Sequence, residues 1–319
     1  MAPPETSLPD VSRLGDCFII DTRHGGYPGI IGVFLLPGPS GTFSLVEAGP
    51  GTTLSRVIAG IRQAGFELQG LSHILLTHIH LDHAGAAGEL ARRTGATVVV
   101  HGRGARHLVD PTRLLASAKR IYQDRFHDLW GDMTPLPQRQ LKVVEGGDRF
   151  SLGRRGVQVL YTPGHASHQV AFLLEDGTLF TGDAAAIRLP GATVVRPALP
   201  PPETDLELWE ASLALMERAK PSRLMLTHFG EVREVTVHLQ QVREQNRLWA
   251  EEILTGLRLG ESSAELEARI ETLTREDLMV EGAPAEVRER YQVTSSAAMT
   301  VMGLTRYWRK HHPELLGSS

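Results

Sequence analysis

Short apolar runs broken by glycine-rich turns fill residues 17 to about 230, and longer runs with helical spacing fill the rest. Residues 18–20, 30–36 and 43–47 read as successive strands, with Gly38-Pro39-Ser40-Gly41 as a turn between the last two. A helical pattern over 54–64 is closed by Gly65. A strand at 73–76, a helix at 84–94 closed by Gly95, and a strand at 97–100 follow. Strands alternating with helices bury a sheet beneath them, which is α/β texture. An excursion over 103–140 interrupts the rhythm. Within it, residues 112–130 predict one amphipathic helix carrying Tyr122, Phe126 and Trp130. Strands return at 141–144, 157–161, 169–174 and 179–181, then a helix at 204–219 and a strand at 223–227. From residue 231 the pattern is helical, over 232–255, 262–272, 281–289 and 293–309. The expected organisation is a loose terminus over 1–16, a main unit over 17–230, and a helical extension over 231–319 packed on it.

Composition narrows the class. In 319 residues, 41% are apolar and 22% charged, which is a globular balance able to bury one large core. The net charge of -4 gives no general attraction to nucleic acid. No apolar run approaches the ~20 residues of a membrane helix, and the start carries no export signal, so a cytoplasmic location is expected. The single cysteine, Cys17, leads an apolar run and reads as a core filler in a reducing compartment.

The chemistry is concentrated in Thr77-His78-Ile79-His80-Leu81-Asp82-His83, directly after the apolar Ile74-Leu75-Leu76. Polar side chains at a strand end are costly to bury unless something compensates them, and imidazole and carboxylate are the ligands of zinc, iron and manganese. Three later loci repeat the form: His165, Asp183 and His228 each follow an apolar run. Five histidines and two carboxylates exceed the needs of one open zinc site and suit two divalent cations, which lower the pKa of a shared water and polarise an electrophile.

This pattern resembles the metallo-β-lactamase superfamily, whose hallmark is His-x-His-x-Asp-His followed by separate His, Asp and His ligands. The resemblance implies a four-layer αββα sandwich with additional C-terminal helices and a site along one sheet edge. It implies that His78, His80 and His165 hold a first metal, that Asp82, His83 and His228 hold a second, and that Asp183 bridges. Gly164-His165 and Gly182-Asp183 match the family's glycine-before-ligand habit. Glu47-Ala48-Gly49 stands where the family has Asp-x-Gly, a structural position. The full ligand set matches glyoxalase II-like thioesterases and lactone-cleaving relatives. The expected activity is hydrolysis of a small carboxylic ester, lactone or thioester by metal-activated hydroxide, with zinc favoured over iron or manganese. Asp82 would combine ligation with proton transfer to the leaving group. Phosphodiester or phosphotriester hydrolysis is the alternative chemistry. A metal-stabilised structural or interaction protein is the alternative class, with the last helices offering a homodimer or partner surface. His168 reads as support for the ligands, and Tyr27, Tyr122, Phe126, Trp130, Lys119, Arg120 and Arg188 as candidates for the pocket rim. The stiff proline-rich stretch 196–205 is expected to place the next helix, capped by Thr204 or Asp205.

Overall fold

A computed structural model describes residues 10–294 and 296–316. Among the described residues thirteen strands form two sheets, each in sequential strand order. The first sheet holds β1 (Val11–Leu14), β2 (Cys17–Asp21), β3 (Gly32–Pro37), β4 (Phe43–Val46), β5 (Leu71–Leu75), β6 (Thr97–His101) and β7 (Leu141–Val144). The second holds β8 (Arg149–Leu152), β9 (Arg155–Tyr161), β10 (Val170–Leu174), β11 (Thr178–Phe180), β12 (Arg223–Leu226) and β13 (Gly230–Val232). The residues of β1 belong to the stretch expected to be loose. They instead pair antiparallel with β2 from Val11–Ile20 to Leu14–Cys17, because an added edge strand satisfies the main chain of β2.

The helices over the first sheet are α1 (Leu54–Gln63), α2 (Leu81–Ala84), α3 (Ala87–Thr94), α4 (Gly102–Val109), α5 (Thr112–Tyr122) and α6 (Phe126–Trp130). Those associated with the second half are α7 (Leu206–Arg218), α8 (Val235–Arg258), α9 (Ser263–Val280), α10 (Ala285–Thr294) and α11 (Ala297–His311). Three apolar layers result. Val57, Ile61, Leu90 and Ala91 pack under the outer face of the first sheet. Phe34, Val46, Leu75, Val99, Val159, Phe172 and Met225 fill the space between the sheets. Trp209, Leu213, Leu239, Trp249 and Leu304 cover the outer face of the second. This is the αββα sandwich. Cys17 is buried in the middle layer, where burial pushes its thiol up to about 11, so it is inert packing.

Three differences from the sequence pattern have local causes. The helix expected over 112–130 breaks after Tyr122, where Gln123 takes φ 48°, and α6 folds back to set Trp130 against Tyr122 at 5.1 Å between rings. The helix expected over 281–289 starts instead at Ala285, because Pro284 disfavours helical geometry in the residue before it. Helix α4 is not legible in the sequence. It starts in the glycine-rich Gly102-Arg103-Gly104, and only its long-range packing reveals it. No helix of the described residues is long and apolar enough to cross a membrane.

The topology decides where ligands can gather. Strands β4, β5 and β6 are parallel, so their C-terminal ends share an edge. In the second sheet β10 runs against both β9 and β11, and β12 is parallel to β11, so β9, β11 and β12 also end together. Two main-chain bonds join the sheets at this edge: Val170 N–H donates to Thr77 O (2.8 Å) and Gly32 N–H to Thr227 O (2.8 Å).

Candidate metal centre

Each potential ligand leaves the end of one of these strands. His78 and His80 follow β5, and Asp82 and His83 lie in the short α2, whose first turn closes with His83 N–H to His80 O at 3.0 Å. His165 follows β9, Asp183 lies in the 3-10 turn Gly182–Ala185 after β11, and His228 follows β12. Two glycines make this crowding feasible. Gly164 has φ 132°, and a Cβ there would sit 2.4 Å from the Trp209 Cα. Gly182 has φ 50°, and its Cβ would meet Thr77 Oγ1 at 2.2 Å. Gly164→Ala should therefore lower stability by about 1–3 kcal/mol from overpacking, with backbone strain added. A denaturation midpoint unchanged from wild type would show that the loop can yield there.

Among the described residues, two groups each bring one ligand atom per side chain within 4.8 Å of one another: His78, His80 and His165, and Asp82, His83, Asp183 and His228. Their outer contacts fix the ring orientations. His165 Nδ1–H donates to Ala198 O (2.8 Å) and His228 Nδ1–H to Ile30 O (2.8 Å). Thr77 Oγ1–H donates to Glu47 Oε1 (2.6 Å), so it accepts from His78 Nδ1–H at 3.1 Å. His83 Nδ1–H donates to Glu47 Oε1 at 3.0 Å. In its neutral form each ring held this way presents a bare Nε2 inward. His80 Nδ1 lies 3.1 Å from His78 Nε2 and 2.9 Å from His165 Nε2. One proton on His80 could satisfy only one of those two lone pairs. A divalent cation between the three nitrogens satisfies all of them, which is the fit expected of neutral histidine ligands.

The electrostatics agree. Burial holds His80 down to about 3, with the His165 ring adding to it, and burial likewise keeps His78 and His165 below the usual histidine range. In the second group burial opposes ionisation of Asp82 and Asp183, yet His83 and His228 hold both carboxyls below the usual range. Those two histidines are raised despite burial, because Asp82 and Asp183 face them. Positive charge is what this group demands. Asp183 Oδ1 and His83 Nε2 are buried without a hydrogen-bond partner among the described residues, as atoms that serve as metal ligands are. The two oxygens of Asp183 are divided: Oδ2 lies 3.4 Å from His165 Nε2, and Oδ1 lies 3.2 Å from His83 Nε2 and 3.4 Å from His228 Nε2.

Around these seven side chains the structure sorts the other candidates. His168 belongs to neither group. Its ring lies parallel to that of His78 at 6.0 Å and edge-on to His80 at 5.6 Å, backing both. Tyr27 turns away from the cluster, and its hydroxyl donates to Glu289 on α10 (2.9 Å). Phe126 is core, with the Lys119 ammonium over its ring at 5.2 Å. Arg188 acts through its main chain, its N–H donating to His228 O at 2.6 Å. Asp205 caps α7 by accepting from Leu208 N–H at 2.9 Å. His24 has no motif in the sequence to mark it. Its ring stacks on Trp130 (5.2 Å, 13°), and burial lowers its pKa while the Asp82 charge acts in the opposite direction. The glycine-rich loop it shares with Tyr27 is conspicuous in the sequence, but nothing local distinguishes the two residues. Glu47 is more than structural support, since it orients His83 directly.

The family model for the metallo-beta-lactamase superfamily matches residues 28–228. The chain belongs to that superfamily, and its two clustered ligand sets form a dinuclear site for divalent metal of the kind a metallo-hydrolase uses. It is similar to a metallo-beta-lactamase fold-containing protein of Sulfurisphaera tokodaii, 33% identical over 57% of this chain and 70% of the relative. The crystal structure of an archaeal superfamily protein from Sulfolobus tokodaii superposes with a TM-score of 0.61 at 26% identity, over 73% of this chain and 86% of that one. A metallo-beta-lactamase family protein from Thermus thermophilus shares the fold over 93% of this chain and 94% of its own, with TM-score 0.67 and 22% identity. The chain spans only 25% and 45% of the length of two further curated relatives.

Proposed function

We propose that this chain is a two-metal hydrolase of a small carboxylic ester, lactone or thioester. The observation that carries the reading is the division of Asp183, one oxygen toward each ligand group, which suits a bridging carboxylate. His78, His80 and His165 would hold one ion and Asp82, His83 and His228 the other. Two such ions, with zinc favoured by the histidine-rich set, would supply hydroxide near neutral pH and polarise the carbonyl. The protein's own groups do the rest. Asp82 is the more open carboxylate, 20% exposed at its side chain; as a carboxylate it can take the proton of the attacking hydroxide and pass it to the leaving alkoxide or thiolate. His80 is also partly exposed, which favours an open site over a sealed structural cluster. Trp130 joins two other aromatic rings, stacking on His24 at 5.2 Å and meeting Tyr122 edge-on at 5.1 Å. Packing of α8, α9 and α11 on the second sheet's core supports reading residues 231–319 as an extension of the unit at 17–230.

A thioester is included because the chain is 32% identical over 146 residues to hydroxyacylglutathione hydrolase of Methylococcus capsulatus, 44% of this chain and 46% of that one. Metal analysis followed by a panel of p-nitrophenyl esters, acyl lactones, S-lactoylglutathione and bis-p-nitrophenyl phosphate tests the reading. Turnover of the first three classes, lost in chelator and restored by zinc, is expected. Turnover confined to the phosphodiester would replace it with phosphoryl chemistry. Two bound ions without turnover of any would favour a structural role.

A further inference from the structure

The C-terminal helices reach the metal centre through His228. Three main-chain contacts place that residue: its Nδ1–H donates to Ile30 O (2.8 Å), its carbonyl accepts from Arg188 N–H (2.6 Å), and the neighbouring Thr227 O accepts from Gly32 N–H (2.8 Å). The two segments that supply the first two contacts are irregular. Residues 28–31 precede β3, and residues 187–196 form a loop closed by the isolated bridge Ile187–Arg196, with a turn bond from Ala192 N–H to Leu189 O inside it. Asp21 anchors the first segment through Gly29 N–H (2.7 Å).

Helix α10 clamps both segments. The buried Arg290 guanidinium spans them, donating from Nη1 to Pro28 O (3.3 Å) and from Nη2 to Pro190 O (2.7 Å). The Tyr291 hydroxyl, in a fully buried side chain, accepts from Leu189 N–H (2.9 Å) and donates to Val194 O (2.6 Å). Leu189 adjoins Arg188, so the chain of contact from Tyr291 to His228 is short. Apolar packing of Ile187 and Leu189 against Leu278, Val287 and Tyr291 completes the grip. An aliphatic side chain at position 290 would give packing without the cost of burying a guanidinium. The carbonyls that Arg290 selects both lie in segments that orient His228. Asp183 is held separately, by Trp209 Nε1–H to Ala184 O and His238 Nε2–H to Ala185 O, both 2.8 Å.

We propose that Tyr291 and Arg290 are positioning residues for His228, through which α10 sets how tightly the second metal is held. The proposal rests on the two-metal reading above. Its test is a zinc titration of the full chain against a competing chelating dye, with folding midpoints measured on the metal-free proteins. Tyr291→Phe keeps the ring and removes the hydroxyl. It should weaken the second zinc by about 10- to 100-fold, the effect of losing a group that orients a ligand, and leave the first unchanged. Tyr307→Phe removes a hydroxyl of the same extension that donates to Glu207 (2.6 Å), away from these segments, and should leave both affinities unchanged. Arg290→Lys, which cannot span Pro28 and Pro190, should repeat the Tyr291→Phe result and serves if that variant does not fold. Equal weakening of both ions, or the same loss in Tyr307→Phe, would reduce the effect to general destabilisation and overturn the proposal. A wild-type chain that takes up two zinc ions, with Tyr291→Phe and Arg290→Lys indistinguishable from it, overturns the proposal alone. A wild-type chain that takes up fewer than two overturns it together with the two-metal reading.

Discussion

Asp183→Asn is expected to give a folded protein that retains one metal ion per chain and turns over roughly 10^2- to 10^3-fold more slowly, the cost of losing several kcal/mol of charge stabilisation. Asparagine offers one oxygen and an amide whose hydrogens repel a cation, so it can serve the His165 side or the His83 and His228 side, not both. The loss of negative charge also removes the strongest influence raising His228. Metal content by elemental analysis and turnover on the best substrate of the ester, lactone and thioester panel decide the matter. Two ions per chain with near-wild-type hydrolysis would show that Asp183 does not bridge.

Glu47→Gln should be nearly as damaging, for a different reason. The Glu47 carboxylate is fully buried and accepts from Thr77 N–H (3.3 Å), Thr77 Oγ1–H (2.6 Å), Thr227 Oγ1–H (3.2 Å) and His83 Nδ1–H (3.0 Å). It therefore ties the ends of β4, β5 and β12 together beneath the site. Its backbone sits at φ 68°, a left-handed conformation that costs a non-glycine residue about 1–2 kcal/mol and must be offset by those bonds. Glutamine replaces one acceptor oxygen with a donor amide facing other donors. Leaving buried donors unpaired costs about 1–3 kcal/mol, so unfolding in chelator should show a loss of that order. Zinc affinity should fall about 10- to 100-fold as His83 loses its orientation. An unfolding midpoint and zinc affinity both equal to wild type would mean that the four donors find other partners.

The two predictions mark the boundary of what the chain reveals before folding. His78, His80, Asp82 and His83 are legible because ligand-type residues crowd into one strand end, and His165, Asp183 and His228 because each repeats that placement after an apolar run. The strand-and-helix alternation yields α/β texture, and the four-layer αββα arrangement comes from the superfamily resemblance that the ligand string carries. The link from Glu47 to His83 joins residues 36 apart through a single carboxylate, and no local pattern announces it. Trp130 meets His24 because α6 reverses after Gln123, a contact between residues 106 apart that is equally unmarked in the local pattern. The anchoring carbonyls of Ile30 and Ala198 are invisible in sequence for a stricter reason, since every residue type has one. Side-chain identity encodes the ligands, while their aim is set by main chain that the tertiary fold brings into place.

The sequential order of strands in each sheet also bears on how the protein is made. Residues 11–144 complete the first sheet and residues 149–232 the second. The first contributes His78, His80, Asp82 and His83, and the second His165, Asp183 and His228, so neither ligand group is whole within one half. A nascent chain therefore exposes histidines from residue 78 onward but has no finished second site until residue 228 has been synthesised and the two sheets have closed. Metal capture is in this sense a report that the halves have docked. Each ion bound afterwards acts as a reversible cross-link between them, strengthening the closed form in proportion to the logarithm of free metal.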